Sequence, residues 1–148
     1  MKRLFIFALL ALIALFVFLN YKHQVNKTPQ AIINNHTFNL DVAATDKEKE
    51  VGLAKYKSIP KDFAMVFLFD KSDYYSFWMK NMKFSIDIIF INNGKIVKIF
   101  SNVPPPKSPD SSLPIYKPDE LSDTVLEINA GLAGKYNFKE GDVVKIKL

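Results

Sequence analysis

The chain has 148 residues, which suits one globular domain, and it contains no cysteine, so disulfides, thiolate nucleophiles, iron–sulfur clusters and a lipid-anchored cysteine are excluded. Its formal charge of +5 is concentrated at the N-terminus: beyond the first four basic residues, 16 lysines stand against 15 acidic residues and no arginine remains. Nucleic acid is therefore not expected as a partner, because no guanidinium group is left to contact phosphates or base edges.

An apolar segment follows the basic residues Lys2 and Arg3: Leu4–Leu19 holds 16 apolar residues without a break. No small residues suited to signal-peptide cleavage come after it, so we interpret residues 1–21 as a signal anchor, with a cleaved signal peptide as the alternative. Residues 22–30 are polar and are interpreted as a linker. The cytoplasmic membrane is then a partner, and the rest of the chain lies on the extracytoplasmic side (periplasm or cell surface), or is secreted if the leader is cleaved.

The next segments carry clear turn and helix signals. Asn34-Asn35 lies between two short apolar runs, a pattern that predicts a β-hairpin. Thr45 and Glu48 form a capping-box pattern, which predicts a short helix over Asp46–Ala54. We expect this helix to bury Val51 and Leu53.

Most of the remaining chain has the pattern of short β-strands. Asn92-Asn93-Gly94 predicts a tight hairpin, and Pro104–Pro118, with six of the eight prolines, predicts an exposed loop. Residues 31–148 are therefore expected to form one mainly β domain, a small antiparallel β-sandwich or barrel of about seven or eight strands with one or two short helices. Besides the two strands before the helix, the predicted strands are Phe63–Phe69, Tyr74–Met79, Phe84–Ile91, Lys95–Phe100, Thr124–Asn129 and Val144–Leu148.

Two acidic residues lie inside apolar strands. Asp87 stands in an isoleucine-rich run and Glu127 between Leu126 and Ile128. A buried carboxylate is costly unless it is hydrogen-bonded or paired, so each is a candidate structural group or ligand-binding group. Together they could also form an acid–base pair of the kind that glycosidases use.

The segment Phe77–Asn81 contains the single tryptophan, Trp78. We expect Trp78 to lie in the core and Asn81 to sit in the following turn, with an aromatic platform that stacks a sugar or another ring as the alternative. His36 is interpreted as a turn residue, with a metal site shared with Asp41 or Asp87, or a serine–histidine triad, as alternatives. Phosphate-binding loops, dinucleotide-binding glycine patterns and zinc-protease motifs are absent from the sequence, so no cofactor and no metal are expected.

Several motifs together resemble domain-of-unknown-function family 192. They are Gly52-Leu53, Met65-Val66-Phe67, Phe77-Trp78-Met79-Lys80-Asn81, Ile86-Asp87-Ile88-Ile89-Phe90-Ile91, Gly94-Lys95-Ile96-Val97, Asn102-Val103-Pro104-Pro105, Tyr116, Val125 to Gly131 and Gly141-Asp142. The resemblance covers about Ala31 to Leu148 and implies a mainly β, sandwich-like bacterial or archaeal domain without an established reaction. It also implies a shared site at Trp78, Asn81, Asp87 and Glu127.

The sequence departs from the family pattern at three places. Ala54-Lys55-Tyr56 replaces a usual methionine and arginine, Ser85 replaces a proline, and the proline-rich loop lacks the cysteines that many relatives have. The missing arginine weakens the case for an anionic ligand, and the missing cysteines exclude redox chemistry in the loop.

The sequence thus predicts an envelope domain of unknown biochemical activity. We expect a non-catalytic module that binds an envelope protein or a cell-wall ligand. The alternative is a hydrolase that acts on an envelope sugar or peptide, with Asp87 and Glu127 as its carboxylates and Trp78 as its platform.

Overall fold

The computed structural model of the chain describes residues 2–25, 28–108 and 112–148. Within these residues the protein is mainly β, as predicted, with seven strands, three α-helices and one 3₁₀ helix. The elements are α1 (Lys2–Val25), β1 (Gln30–Ile33), β2 (His36–Ala43), α2 (Asp46–Val51), the 3₁₀ helix (Gly52–Lys55), β3 (Phe63–Asp73), β4 (Ile86–Asn92), β5 (Lys95–Val103), β6 (Ser122–Asn129), α3 (Leu132–Lys135) and β7 (Val144–Lys147).

The apolar N-terminal segment is helical, and α1 continues to Val25, into the segment interpreted as a linker. Asn26 and Lys27 of that predicted linker lie outside the described residues. No helix in the described part of the chain is long and apolar enough to cross a membrane. The anchoring role of Leu4–Leu19 therefore stays a prediction.

All seven strands belong to one sheet, in the order β5-β4-β6-β3-β2-β1-β7. Every neighbouring pair is antiparallel except β2 and β3, which run parallel. The expectation of a purely antiparallel architecture is therefore wrong at this pair. The two strands run parallel because the connection through α2 and the 3₁₀ helix returns the chain to the end where β2 began. Strand β3 therefore runs in the same direction as β2.

The sheet curls until its two edge strands meet at one end, which makes it a partly closed barrel rather than a two-sheet sandwich. Lys95 at the start of β5 forms an antiparallel bridge with Val143, and the Val144 backbone N–H donates to the Gly94 carbonyl at 2.8 Å. The predicted barrel is thus close to the observed architecture, whereas the predicted sandwich is not.

Alternation along the strands divides the apolar side chains into two clusters. The inner cluster takes residues from all seven strands and is closed by α3 and Phe138, so it fills the inside of the curl. The outer cluster takes residues mainly from β3, β4, β5 and β6, including Met65, Phe67, Ile88 and Val125. The 3₁₀ helix and residues 74–85 pack against this outer cluster.

Three local predictions need correction or refinement. The predicted strand Tyr74–Met79 does not form. Instead β3 continues to Asp73, through residues 70–73 that separate the two predicted strands, and Phe77 makes only an isolated bridge, with Tyr116. The capping box of α2 is confirmed, but Val51 is 41% exposed instead of buried. The helix ends there because the next residue is a glycine in the left-handed region.

The proline-rich segment contains no strand among its described residues, in agreement with the prediction of a loop. Pro109, Asp110 and Ser111 of this segment lie outside the described residues. The two predicted hairpin turns are confirmed: Asn34, Asn35, Asn93 and Gly94 all have positive φ.

Candidate functional site

Glu127 lies in the middle of β6, which pairs with β3 on one side and β4 on the other. Its direct neighbours across the sheet are Met65 and Ile88, and all three residues are buried. Its Oε2 atom is buried and has no hydrogen-bond partner among the residues that the structure describes. Such unpartnered buried polar atoms are uncommon in folded proteins, so this one requires a structural explanation.

The electrostatic surroundings of Glu127 favour its neutral form. Burial raises the pKa of Glu127 to about 8, and the backbone N–H of Leu53 opposes this by a smaller amount. No described lysine, arginine or histidine forms an ion pair with it. The carboxyl is therefore mostly protonated at neutral pH, and its O–H group can donate a hydrogen bond.

A cleft of about 300 Å³ opens above Glu127. Its walls come from α2, the start of the 3₁₀ helix, the outer face of β3 and the segment that follows β3. Five aromatic side chains line it: Phe67, Phe69, Tyr75, Phe77 and Trp78. Four charged residues also line it, with two of each sign: Asp46, Glu50, Lys49 and Lys80.

Gly52 lines the cleft and lies next to the buried carboxyl. This residue ends α2 with φ of +53°, a conformation that favours glycine. A Cβ atom built on it would lie 3.4 Å from Phe67 Cζ and 3.5 Å from Glu127 Oε2. Glycine therefore meets the backbone requirement and keeps a side chain from packing against Oε2.

The aromatic walls are held by their own packing. Phe69 and Tyr75 stack with ring centroids 3.6 Å apart, and Phe67 meets Phe77 edge to face at 5.0 Å. Trp78 stands beside this group and is 44% exposed. The lysine ammonium groups at the rim lie over two of the rings, Lys49 at 4.8 Å from the Phe69 centroid and Lys80 at 5.4 Å from the Trp78 centroid.

The expectation that Trp78 belongs to the core is wrong, and the alternative platform position agrees with its exposure. Because residues 74–85 do not continue the sheet, their side chains do not alternate between two buried faces. Phe77 turns inward onto Phe67 and Phe90, and Trp78 stays at the surface of the cleft.

Asp87 has a different environment from Glu127. It is fully buried on the inner face of β4, where Oδ1 accepts from the backbone N–H groups of Asn102 (2.7 Å) and Gly131 (2.9 Å). Oδ2 accepts from the N–H of Ala133 at 2.8 Å. Asn102, near the end of β5, and Gly131, directly before α3, both have positive φ, so Asp87 fixes these two backbone positions and the first turn of α3.

The four residues that the resemblance groups together are therefore divided by the fold. Trp78 and Glu127 line the same cleft, whereas Asn81 lines a neighbouring depression with Pro106 and Leu113. Asn81 does occupy the expected turn, with φ of +61°. Asp87 and Glu127 do not converge on one cleft, so the structure gives no acid–base pair.

The histidine alternatives receive no support from the described residues. His36 stacks on Tyr136 with ring centroids 3.8 Å apart. Asp41 binds Lys55 and Tyr56 instead, at 2.7 and 2.6 Å. Among the described residues, no group of three histidine, aspartate or glutamate side chains is arranged to hold a metal ion.

Sequence reasoning missed the importance of Phe69 and Tyr75, which complete the aromatic walls. The alternation of Met65, Phe67 and Phe69 along β3 contains part of this signal, because it places all three on one face. The pairing of β3 with β6 is also needed to bring that face to Glu127. This pairing joins segments about 60 residues apart and leaves no local mark in the sequence.

Comparisons with known proteins agree with this fold. The model of the DUF192 family, described as "Uncharacterized ACR", matches residues 29–146. A crystal structure of a protein of unknown function from Novosphingobium aromaticivorans is similar, with a TM-score of 0.68 and 29% identity over 80% of this chain and 83% of that chain. A Sinorhizobium meliloti protein, provisionally assigned as a transcription regulator, has a TM-score of 0.70 and 27% identity over 80% of this chain and 91% of that chain. No curated protein matches the chain.

Proposed function

The chain belongs to the DUF192 family, and from this premise we propose that it is a non-catalytic binding module that holds a small ligand in the aromatic cleft. One observation carries the proposal: Glu127 lines a cleft walled by aromatic rings, and its Oε2 atom is buried without a partner among the described residues. Concave aromatic sites with a few polar groups that fix orientation are typical of small-molecule binding.

The unpartnered oxygen favours binding over a purely structural role. A buried polar group that lacks a hydrogen bond costs the folded state about 1–3 kcal/mol. Asp87 illustrates the opposite case, because both of its oxygens are engaged by backbone groups. A ligand atom that reaches Oε2 of Glu127 would supply the missing hydrogen bond.

A hydrolase is not proposed for this cleft. The suggested carboxylate pair would need Asp87 and Glu127 on one cleft, but they lie on opposite faces of the sheet. DNA binding is not proposed either, although one structural neighbour is provisionally assigned as a regulator. Residues 31–148 contain no arginine and nearly equal numbers of lysines and acidic residues.

The proposal includes a location outside the cytoplasm. Lys2 and Arg3 followed by the apolar run Leu4–Leu19 form a pattern typical of export signals and signal anchors. The module would then meet envelope molecules, either a cell-wall ligand or an envelope protein. Fusions of alkaline phosphatase and of green fluorescent protein after Leu148 test this part: phosphatase activity without fluorescence is expected, and the reverse would contradict it.

Binding can be tested by intrinsic fluorescence, because Trp78 is the single tryptophan and lines the cleft. We expect a ligand to change its emission in the wild type and to bind at least tenfold more weakly to Glu127→Leu, which removes the hydrogen-bonding group. Glu120→Leu is the matched control, since it makes the same change at an exposed position. Equal affinities in all three proteins would contradict the proposal.

A further inference from the structure

We infer that the ligand of the cleft is a neutral ring with hydroxyl groups, such as a sugar residue, which stacks on Trp78 and shares a hydrogen bond with Oε2 of Glu127. This inference rests on the proposed function of the cleft and adds the chemical class of its ligand. It follows from three properties of the described site: the state of the buried carboxyl, the charge at the rim and the exposed tryptophan face.

The buried carboxyl selects a hydrogen-bonding group over a charged one. Its neighbours across the sheet, Met65 and Ile88, are apolar, and no described cation pairs with it. A protonated carboxyl can donate through its O–H and accept through its carbonyl oxygen. A hydroxyl group satisfies either arrangement, because it is itself both a donor and an acceptor.

The four other charged residues that line the cleft give no preference for a charged ligand. Asp46 and Glu50 oppose Lys49 and Lys80, so the net charge of the lining groups other than Glu127 is zero. The ammonium groups of Lys49 and Lys80 already lie over the rings of Phe69 and Trp78, where a cationic ligand would have to compete with them. An anionic ligand would meet the two acidic side chains of α2.

The exposed aromatic surface suits a ring. Trp78 is 44% exposed, and the negative π density of an indole face attracts the C–H groups on one side of a pyranose chair. A sugar that stacks on it would take the place of the Lys80 ammonium group, which is exposed and can return to solvent. The cleft of about 300 Å³ is at the small end of ligand pockets, which range from roughly 300 to 1,000 Å³. One or two sugar residues are therefore the expected size.

The pH dependence of binding distinguishes the ligand classes. A neutral ligand that needs protonated Glu127 binds with constant affinity at low pH and loses affinity as the pH rises above about 8, the value to which burial raises the pKa of this residue. An ammonium ligand needs the ionised carboxylate and would gain affinity over the same range. The charged groups that line the cleft with Glu127 are Asp46, Lys49 and Glu50 of α2, and Lys80 of the segment 74–85.

The experiment uses the full chain in a polyoxyethylene detergent, because maltoside head groups would compete as sugars. Cellobiose and N,N′-diacetylchitobiose are the neutral probes, choline and spermidine the cationic probes, and benzoate the anionic probe. Tryptophan fluorescence and saturation-transfer NMR report binding between pH 6.5 and pH 9. We expect at least one disaccharide to bind about tenfold more weakly at pH 9 than at pH 6.5, as follows from one required proton.

Two variants show whether Glu127 causes the pH dependence of binding. Glu127→Gln should bind the same disaccharide without the loss between pH 6.5 and pH 9, and Glu120→Gln should behave as the wild type. A cationic or anionic probe that binds while both disaccharides fail would overturn the ligand class and leave the binding function standing. Disaccharide binding with an unchanged pH profile in Glu127→Gln would overturn the proposed contact. Failure of every probe with a folded protein would overturn the binding function itself.

Discussion

Asp87 on β4 and Glu127 on β6 stand one residue out of register on neighbouring strands, so their side chains lie on opposite faces of the same sheet. Ile88 is directly opposite Glu127, and Ile128 is directly opposite Asp87. Each carboxyl consequently has its own environment. Asp87 accepts from three backbone N–H groups, whereas Glu127 lines the cleft and its Oε2 has no partner among the described residues. The hydrogen bonds of Asp87 hold parts of the fold together, and Glu127 is the acid that the proposed ligand would contact.

The first prediction concerns the structural role of Asp87. We expect Asp87→Asn to lower the free energy of unfolding by about 3–5 kcal/mol, because an amide nitrogen would face backbone N–H groups that now donate to an oxygen. Urea unfolding followed by circular dichroism measures the change. Asp123→Asn is the control, since Asp123 accepts one solvent-exposed backbone bond, from Asn93, and should lose about 1 kcal/mol or less. Equal losses in the two variants would refute the role given to Asp87.

The second prediction concerns the pH dependence of stability through Glu127. Its pKa is about 8 in the folded protein and 4.5 in the unfolded reference, so the folded state retains a proton between these values. This contribution to stability is complete below pH 4.5 and is lost as the pH rises to about 8, up to about 5 kcal/mol in total. Relative to the wild type, Glu127→Gln should therefore become more stable as the pH is raised from 5 to 8.

Urea unfolding of wild type, Glu127→Gln and Glu120→Gln at pH 5 and pH 8 checks the sign. The difference between wild type and Glu120→Gln should stay constant across this range, because Glu120 is exposed. A constant difference between wild type and Glu127→Gln would show that the carboxyl is not held neutral by burial.

The third prediction separates the platform position of Trp78 from a core position. Trp78→Ala should lower the free energy of unfolding by only about 1–2 kcal/mol, because nearly half of the side chain is already exposed. Phe67→Ala, at a position 1% exposed, should cost about 3–5 kcal/mol. Thermal and urea unfolding provide the comparison. A loss for Trp78→Ala as large as that for Phe67→Ala would place the tryptophan in the core after all.

The fourth prediction concerns Gly52. Gly52→Ala should cost about 1–3 kcal/mol, because φ of +53° with ψ of −142° is a backbone conformation that only glycine readily adopts. It should also weaken ligand binding, because the new methyl group stands beside Oε2 of Glu127. Gly134→Ala is the control: no atom lies within 4 Å of the place that its methyl group would take, and helix α3 should gain up to about 1 kcal/mol. Unaltered binding in Gly52→Ala would mean that ligands approach the carboxyl from elsewhere.

Local chemistry made part of the fold predictable. Asn34-Asn35 and Asn92-Asn93-Gly94 tolerate positive φ, and the structure has both hairpins where these residues occur. Thr45 and Glu48 form their reciprocal capping bonds, with the Glu48 carboxylate accepting from the Thr45 backbone N–H at 2.8 Å. Such features depend on residues within four positions of one another, so a single sequence contains what is needed to find them.

Long-range pairing determined what could not be predicted. The run Tyr74–Met79 has strand-like residues, but the sheet neighbours of β3 are already β2 and β6, so this run covers a face instead of joining the sheet. The separation of Asp87 from Glu127 depends on the register of two strands about 40 residues apart. A change of one residue in that register would have put both carboxyls on one face, and no local pattern fixes it.

The most direct test of the proposed site is a pH titration of the Glu127 carboxyl by ¹³C NMR, assigned by its loss in Glu127→Gln and repeated with saturating cellobiose or N,N′-diacetylchitobiose. We predict a carboxyl that titrates near pH 8 in the free protein, with a higher midpoint when the neutral ligand holds the protonated form. A carboxyl that titrates near pH 4.5 and whose resonance is unchanged by either sugar would contradict both the buried neutral acid and its role in binding.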